Sequence, residues 1–196
     1  MRDRSGRPEA KPLRLFVAVD VPPAVQDGLA VAIASYRDRI PLARWTGLEN
    51  WHVTVKFLGT TWPRLVDPVR AAIGSAASAA APFQTALTEV GVFPSARRAR
   101  VVWAGLSDPD GGFARLADSL DGALGEFVEP ERRPFTPHLT LARLTPPRDI
   151  GEFTSDLVGR SVASEPFPVG HLVLYQSHLS PRGATYESLE VFALGR

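Results

Sequence analysis

The chain has 196 residues, a formal net charge of +1 and no cysteine. This composition excludes disulfides, thiolate chemistry and cysteine-bound metals, and it gives no overall field for holding long nucleic acid. No apolar run approaches the roughly 18 residues of a membrane helix, and the charged first segment is unlike a secretory signal. We therefore expect a cytoplasmic protein with no membrane segment, made of a disordered tail over residues 1–12 and a single domain over 13–196.

The first half of the chain mixes strands and helices. In order, the sequence predicts a strand over 13–20, a helix opened by Pro22 and Pro23, a strand over 52–59, a helix over 63–79 and two strands over 83–93 and 99–106. The loop between the last two strands carries Arg97, Arg98 and Arg100 and is typical of a hairpin tip, where a solvated basic loop is the simplest interpretation.

The second half repeats this mixture. The sequence predicts a helix over 111–127, a strand over 138–144, a short helix near 149–158 and a closing hairpin of strands 171–179 and 185–194. Two antiparallel hairpins among helices favour an α+β fold over a doubly wound parallel sheet. A strand-helix duplication is consistent with this order.

A four-residue pattern of His, apolar, Thr, apolar occurs twice, at His52–Val55 and at His138–Leu141. Side chains alternate along a strand, so the His and Thr of each copy share one face, roughly 6.5–7 Å apart, and the apolar residues take the other face. A phosphate can span an imidazole and a hydroxyl at that spacing. A single copy of such a pattern is usually structural, whereas two copies favour a functional pair.

Two such strands would surround one cavity with two imidazoles and two hydroxyls. Histidine, with an unperturbed pKa of ~6.5, can serve as the acid or the base of phosphodiester cleavage, and threonine hydroxyls can donate to the phosphate oxygens. Arg143 could clamp the same phosphate. It lies five positions after His138, however, so regular alternation places it on the opposite face unless a bulge or bend intervenes.

These motifs and their surroundings resemble the 2H phosphoesterase superfamily, and within it the RNA 2′,3′-cyclic phosphodiesterases, also called 2′-5′ RNA ligase-like proteins. The resemblance covers residues 13–194. The segments that carry it are "RLFVAVDVP", "RWTGLENWHVTVKFLG", "VGVFPSARRARVVWAGL", "RPFTPHLTLARL" and "LYQSHLSPRGATYESLEVFAL".

The resemblance implies two pseudo-symmetric lobes, each an antiparallel sheet with flanking helices, around a central cleft. It implies opening of a 2′,3′-cyclic phosphate on an RNA or nucleotide end to a 2′-phosphomonoester, without metal or other cofactor, and weak 2′-5′ ligation in reverse. His52 and His138 would be the catalytic pair. We expect His52 to donate the proton and His138 to accept it, although the symmetric motif allows the reverse. Thr54, Thr140 and Arg143 would bind the phosphate, and we expect a monomer.

The sequence offers further candidate residues and alternative functions. Phe16 could stack on a base or belong to the core, and Gln176 and Ser177 could line the cleft. We interpret the four tryptophans as packing residues, and His171 and His178 as structural or surface residues. The alternatives are a 2′-5′ oligonucleotide phosphodiesterase of the same superfamily, a non-catalytic RNA-end-binding module and a histidine-ligated metalloenzyme. Neither motif contains an acidic residue, which argues against the last.

Overall fold

A computed structural model describes residues 11–181 and 183–195, without the side chains of 153–155. Most of the tail expected over 1–12 falls on residues 1–10, outside the described residues. Lys11 and Pro12 lie in neither a helix nor a strand and lead into the first strand.

The secondary structure follows the predicted order, with two short strands added. The strands are β1 (Leu13–Asp20), β2 (Arg44–Trp45), β3 (His52–Thr61), β4 (Phe83–Thr85), β5 (Leu87–Phe93), β6 (Ala99–Leu106), β7 (His138–Arg148), β8 (Phe167–Val169), β9 (His171–Ser180) and β10 (Gly183–Ala193). The helices are α1 (Pro23–Arg39), α2 (Pro63–Ala79), α3 (Gly112–Leu124) and the single turn α4 (Thr154–Leu157). The segment predicted as one strand over 83–93 is divided into β4 and β5.

The main sheet has the order β10-β9-β1-β3-β7-β6-β5, with β2 added beside β7. Neighbouring strands are antiparallel, and β4 pairs with β8 in a separate small sheet. We call β10, β9, β1 and β3 the first lobe, and β7, β6 and β5 the second lobe. The lobes meet where β3 pairs with β7, through the single residue pair Val53 and Leu139. The expected α+β fold is confirmed, with the two lobes joined into one sheet.

The lobes are not consecutive halves of the sequence. The closing hairpin β9-β10 completes the sheet of the His52 strand, whereas the hairpin β5-β6 completes the sheet of the His138 strand. The order of the helices in the sequence likewise does not divide them between the lobes. Helices α2 and α3 pack on each other and on first-lobe strands, and the Tyr36 hydroxyl of α1 donates to the Asp156 carbonyl at 2.7 Å. The segment after Asp156 borders the second lobe, where Val90 N–H donates to the Arg160 carbonyl at 2.9 Å.

Apolar periodicity explains how the helices cover the sheet. Helix α3 buries Phe113, Leu116, Leu120 and Leu124 on one face, a spacing of three and four residues. Its start is fixed by Asp108, whose carboxylate accepts the backbone N–H groups of Phe113 and Ala114 at 2.9 and 3.1 Å. These bonds satisfy N–H groups that have no partner within the helix. The helices thus shield one face of the sheet and leave the other for the motif side chains.

Candidate active site

The two histidine motifs lie side by side at the junction of the lobes. Extending the Val53–Leu139 register by one residue in each direction places His52 opposite Thr140 and Thr54 opposite His138. Val53 and Leu139 are fully buried on the helix-covered side. Because strand side chains alternate, both histidines and both threonines project from the other side, which we call the motif face.

A β-bulge in β7 brings Arg143 to the motif face. Trp103 pairs with Thr140 and its neighbour Val102 pairs with Ala142, so Leu141 is an extra residue in the ladder. Leu141 and Ala142 are both buried, and Arg143 is exposed. The extra residue reverses the alternation beyond it. Arg143 therefore shares the face of His138 and Thr140, which regular alternation would not allow.

Strand β3 contains the same bulge. Val17 pairs with Lys56 and Ala18 with Thr54, so Val55 is the extra residue. The first seven positions of β3 and β7 have the same order of buried and exposed side chains. This repetition supports the expected pseudo-symmetry of the two lobes. Phe57, 60% exposed, occupies in β3 the position that Arg143 occupies in β7.

The positive charge of Arg143 acts on both imidazoles. It contributes to lowering the pKa of His52 and the pKa of His138, after burial, which has the larger effect on each. A single guanidinium can influence both rings only if both lie near it. Together with the β3–β7 register, this shared influence supports the two-histidine hypothesis, which requires both rings to face one compartment.

The backbone holds each imidazole from two residues upstream. His138 Nδ1 lies 2.8 Å from the carbonyl oxygen of Thr136, and a proton on Nδ1 donates to it. His52 is held in the same way by the backbone of Asn50. These bonds raise the pKa of each histidine, but burial outweighs them and lowers the pKa of His52 to about 4. With Nδ1 engaged, Nε2 of His138 is free to accept a proton.

Aromatic rings enclose His52. Its ring centroid lies 4.8 Å from that of Phe16, 5.9 Å from Tyr175 and 4.9 Å from Tyr186. Phe16 is only 3% exposed, since the rings around it cover its faces. The arrangement therefore gives Phe16 a role in supporting His52, and it leaves no open ring face for base stacking, one of the two roles that the sequence left open for this residue.

Asp20 makes the surroundings of the two histidines different. It pairs with His52 across β1 and β3, whereas the residue that pairs with His138 is Gly105. The carboxylate of Asp20 accepts a 2.7 Å hydrogen bond from the Tyr175 hydroxyl and lies 3.7 Å from His171 Nε2. Its negative charge favours the protonated form of His52, and burial together with Asp20 raises the pKa of Tyr175.

His138 has its own aromatic neighbours. Phe93 and Trp103 lie 5.2 and 6.3 Å from its ring, both edge to face. Trp103 pairs with Gly91, where an added Cβ would lie 2.0 Å from the indole. Glycine at position 91 thus allows the indole to lie flat across the sheet beside His138. Trp103 therefore lines the motif face, in addition to the packing role expected of it.

A family model described as the 2'-5' RNA ligase superfamily matches residues 25–181. The chain belongs to this superfamily, the 2H phosphoesterases. The RNA 2',3'-cyclic phosphodiesterase of Methanothermobacter thermautotrophicus is 31% identical over 188 residues, which cover 93% of this chain and 99% of that protein.

Two solved structures have the same fold as this chain. A protein of Thermus thermophilus aligns with a TM-score of 0.79 and 30% identity, covering 94% of this chain and all of that one. E. coli LigT, solved in complex with phosphate, aligns with a TM-score of 0.72 and 25% identity, covering 95% of this chain and all of LigT.

The remaining candidate residues lie on strand β9 of the closing hairpin. Gln176 and Ser177 line a surface groove of about 620 Å³ with Lys11 and Arg14, and no motif residue lines it. His178 is exposed and contacts Glu187 at 2.9 Å. Within residues 11–181 and 183–195, no three histidine or acidic side chains cluster as potential metal ligands. No helix in the same ranges is long and apolar enough to cross a membrane.

Sequence reasoning missed several residues of the motif face. Phe57 follows His52 by five positions, as Arg143 follows His138, and comparison of the two motif strands would have found it. Asp20, the last residue of β1, is four positions after Phe16, so alternation places both on one face of the sheet; this is a weaker indication that Asp20 belongs to the site. No local pattern indicates Phe93, Tyr175 or Tyr186, since their positions depend on which strands become neighbours.

Proposed function

We propose that this protein hydrolyses 2′,3′-cyclic phosphate ends of RNA or nucleotides to 2′-phosphomonoesters, with His52 and His138 as the acid-base pair. The observation that carries the proposal is the juxtaposition of the two motifs on one face, within the influence of Arg143. The named activity of the Methanothermobacter relative and the phosphate complex of LigT support the same substrate class.

The reaction assigns a role to each polar group of the motif face. A water molecule attacks phosphorus as Nε2 of His138 takes its proton, and the bond from phosphorus to O3′ breaks as His52 gives a proton to O3′. The negative charge that develops on the non-bridging oxygens is stabilised by the hydroxyls of Thr54 and Thr140 and by the guanidinium of Arg143. When the 2′-phosphomonoester dissociates, His138 carries the proton taken from water and His52 has lost its own. Proton exchange with solvent returns both histidines to their starting states.

The asymmetry at Asp20 supports His52 as the donor. A carboxylate stands opposite His52 and stabilises its protonated form, whereas Gly105 opposite His138 supplies no charge. Burial lowers the pKa of His52 to about 4, which opposes this role in the free protein. A bound phosphate anion adds a second negative charge beside the ring and raises the pKa again. The donor role thus requires that substrate binding accompany protonation of His52.

The test is hydrolysis of 2′,3′-cyclic AMP with the products resolved as 2′- or 3′-phosphate. His52→Ala and His138→Ala should each reduce the rate on the order of 10²–10⁴-fold, whereas His178→Ala, at an exposed position, should not. Activity that persists with a chelator is expected from acid-base chemistry. A wild-type protein that cleaves only 2′-5′-linked adenylates would refute the proposed substrate.

We further propose that the protein acts as a cytoplasmic monomer. Both motif strands come from one chain, so a second copy is not needed to complete the site. The absence of cysteine is consistent with a reducing compartment. Size-exclusion chromatography with light scattering would overturn the monomer if the active species had twice the mass.

A further inference from the structure

A second arginine lies directly opposite Arg143. The short strand β2 pairs with β7 beyond the point where β3 leaves it, and its register places Arg44 against Arg143 and Trp45 against Ala142. The Thr46 N–H donates to the Leu141 carbonyl at 2.8 Å, which continues the pairing to the bulge. The position of Arg44 is therefore set by its pairing with β7 at the bulge.

Arg44 shares the motif face with Arg143. Residues directly opposite in an antiparallel pair project to the same side, with Cβ atoms roughly 4.5–5.5 Å apart. Both arginines are exposed, and the neighbouring Ala142 is fully buried on the other side. Two like charges opposite each other are destabilising. Neither arginine has a carboxylate partner within residues 11–181 and 183–195. An anion from outside the chain would relieve the repulsion.

The reacting phosphate does not need both arginines. A cyclic phosphodiester carries one negative charge on two non-bridging oxygens, and Thr54, Thr140 and Arg143 already supply donors for them. The next negative charge in an RNA substrate is the phosphodiester on the 5′ oxygen of the terminal nucleotide. The fork of a guanidinium suits such a group.

We infer that Arg44 binds this internucleotide phosphodiester, so that the site distinguishes RNA ends from mononucleotides. The inference rests on the proposed function and adds a subsite to it. Arg143 serves the phosphate that reacts, and Arg44 serves the phosphate that precedes it in the chain. A mononucleotide 2′,3′-cyclic phosphate lacks the second phosphate and gains nothing from Arg44.

The first test compares kcat/KM for 2′,3′-cyclic AMP with kcat/KM for an oligoadenylate that ends in a 2′,3′-cyclic phosphate. In Arg44→Ala the ratio of oligonucleotide to mononucleotide should fall roughly five- to tenfold, as expected for one charge-assisted contact at an exposed position. The matched control is Arg64→Ala, an exposed arginine on α2, which should keep the wild-type ratio. Arg44→Lys retains the charge and should recover part of the ratio.

The second test measures binding without turnover. Fluorescence anisotropy of a labelled oligoadenylate ending in a 2′-phosphate gives the dissociation constant at several salt concentrations. Loss of one contact to a single-stranded phosphate should reduce the slope of log K against log salt by about 0.7 in Arg44→Ala. The slope should be unchanged in Arg64→Ala and in Arg44→Lys.

The outcomes separate the inference from the proposed function. An unchanged ratio with an unchanged salt slope in Arg44→Ala overturns the Arg44 subsite, whether the variant loses no activity or loses it equally on both substrates. Failure of the wild-type protein to hydrolyse either substrate refutes the proposed function instead. In that case the anisotropy experiment still decides whether Arg44 binds the phosphate.

Discussion

Replacement of Arg143 by alanine tests the geometry of the whole motif face. Arg143 is exposed and has no carboxylate partner among the described residues, so its removal leaves no buried group unsatisfied. The folded state should lose less than about 0.5 kcal/mol of stability. A hydrogen bond to a charged group contributes about 1.5–3 kcal/mol. At about 1.4 kcal/mol per factor of ten, kcat/KM for 2′,3′-cyclic AMP should fall by about 10- to 150-fold.

The same variant has a spectroscopic consequence that does not depend on turnover. Burial lowers the pKa of His52 and the pKa of His138, and the charge of Arg143 lowers both further. Its removal should therefore raise both values, and NMR titration of the imidazole signals would measure them separately. Arg64→Ala, which removes an equal charge from α2, should shift neither.

An Arg143→Ala titration in which only one of the two histidine pKa values rises would contradict this geometry. One histidine responding alone, or neither, would mean that the two rings do not share a compartment around one guanidinium. A large loss of activity with both pKa values unchanged would place Arg143 on the substrate but far from the imidazoles. Either result would contradict the position that the β7 bulge gives it.

Three further predictions concern binding, stability and pH. Phe57→Ala should raise KM for cyclic nucleotides if a base stacks on this exposed ring, an interaction that contributes about 1–3 kcal/mol, whereas Val191→Ala, also at a 60% exposed position, should not. Equal KM values for Phe57→Ala and the wild type would show that no base stacks on Phe57. Lys56→Met should lower the free energy of unfolding in urea by about 3 kcal/mol, because the partly buried Asp121 carboxylate loses its ion-pair partner. An unfolding midpoint equal to that of the wild type would contradict this role of Lys56. The contribution of His52 to wild-type stability should fall by about 3 kcal/mol as pH drops from about 6.5 to about 4, because the unfolded chain protonates His52 before the folded chain does. His52→Gln should remove this contribution and flatten this part of the curve of stability against pH, and a curve parallel to that of the wild type would refute the assignment.

The secondary structure was largely predictable because apolar periodicity reports local conformation. Helix α2 spans the predicted 63–79, and β1 spans the predicted 13–20. The two-residue strand β2 and the three-residue strand β8 were missed, since elements this short have no periodicity. Their existence depends on the strands beside them.

The motifs were predictable, and their setting was only partly so. Alternation placed each histidine beside its threonine, because that relation is local. Regular alternation would place Arg143 on the opposite face from His138. The bulge that reverses this arises from pairing between strands, so one strand read alone does not reveal it. Asp20 and Arg44 belong to the same class, because cross-strand register alone brings them to His52 and Arg143.

Each lobe is completed by a hairpin from the other half of the sequence, so the protein cannot be divided at its midpoint into two folded halves. A cut between α3 and β7 would separate β1 and β3 from β9 and β10, and β7 from β5 and β6. Each fragment would carry one complete motif but expose unpaired strand edges, which favour aggregation. Fragment complementation should therefore be all or none: neither fragment should protect its amides from hydrogen exchange alone, and mixing the fragments should restore protection in both lobes together.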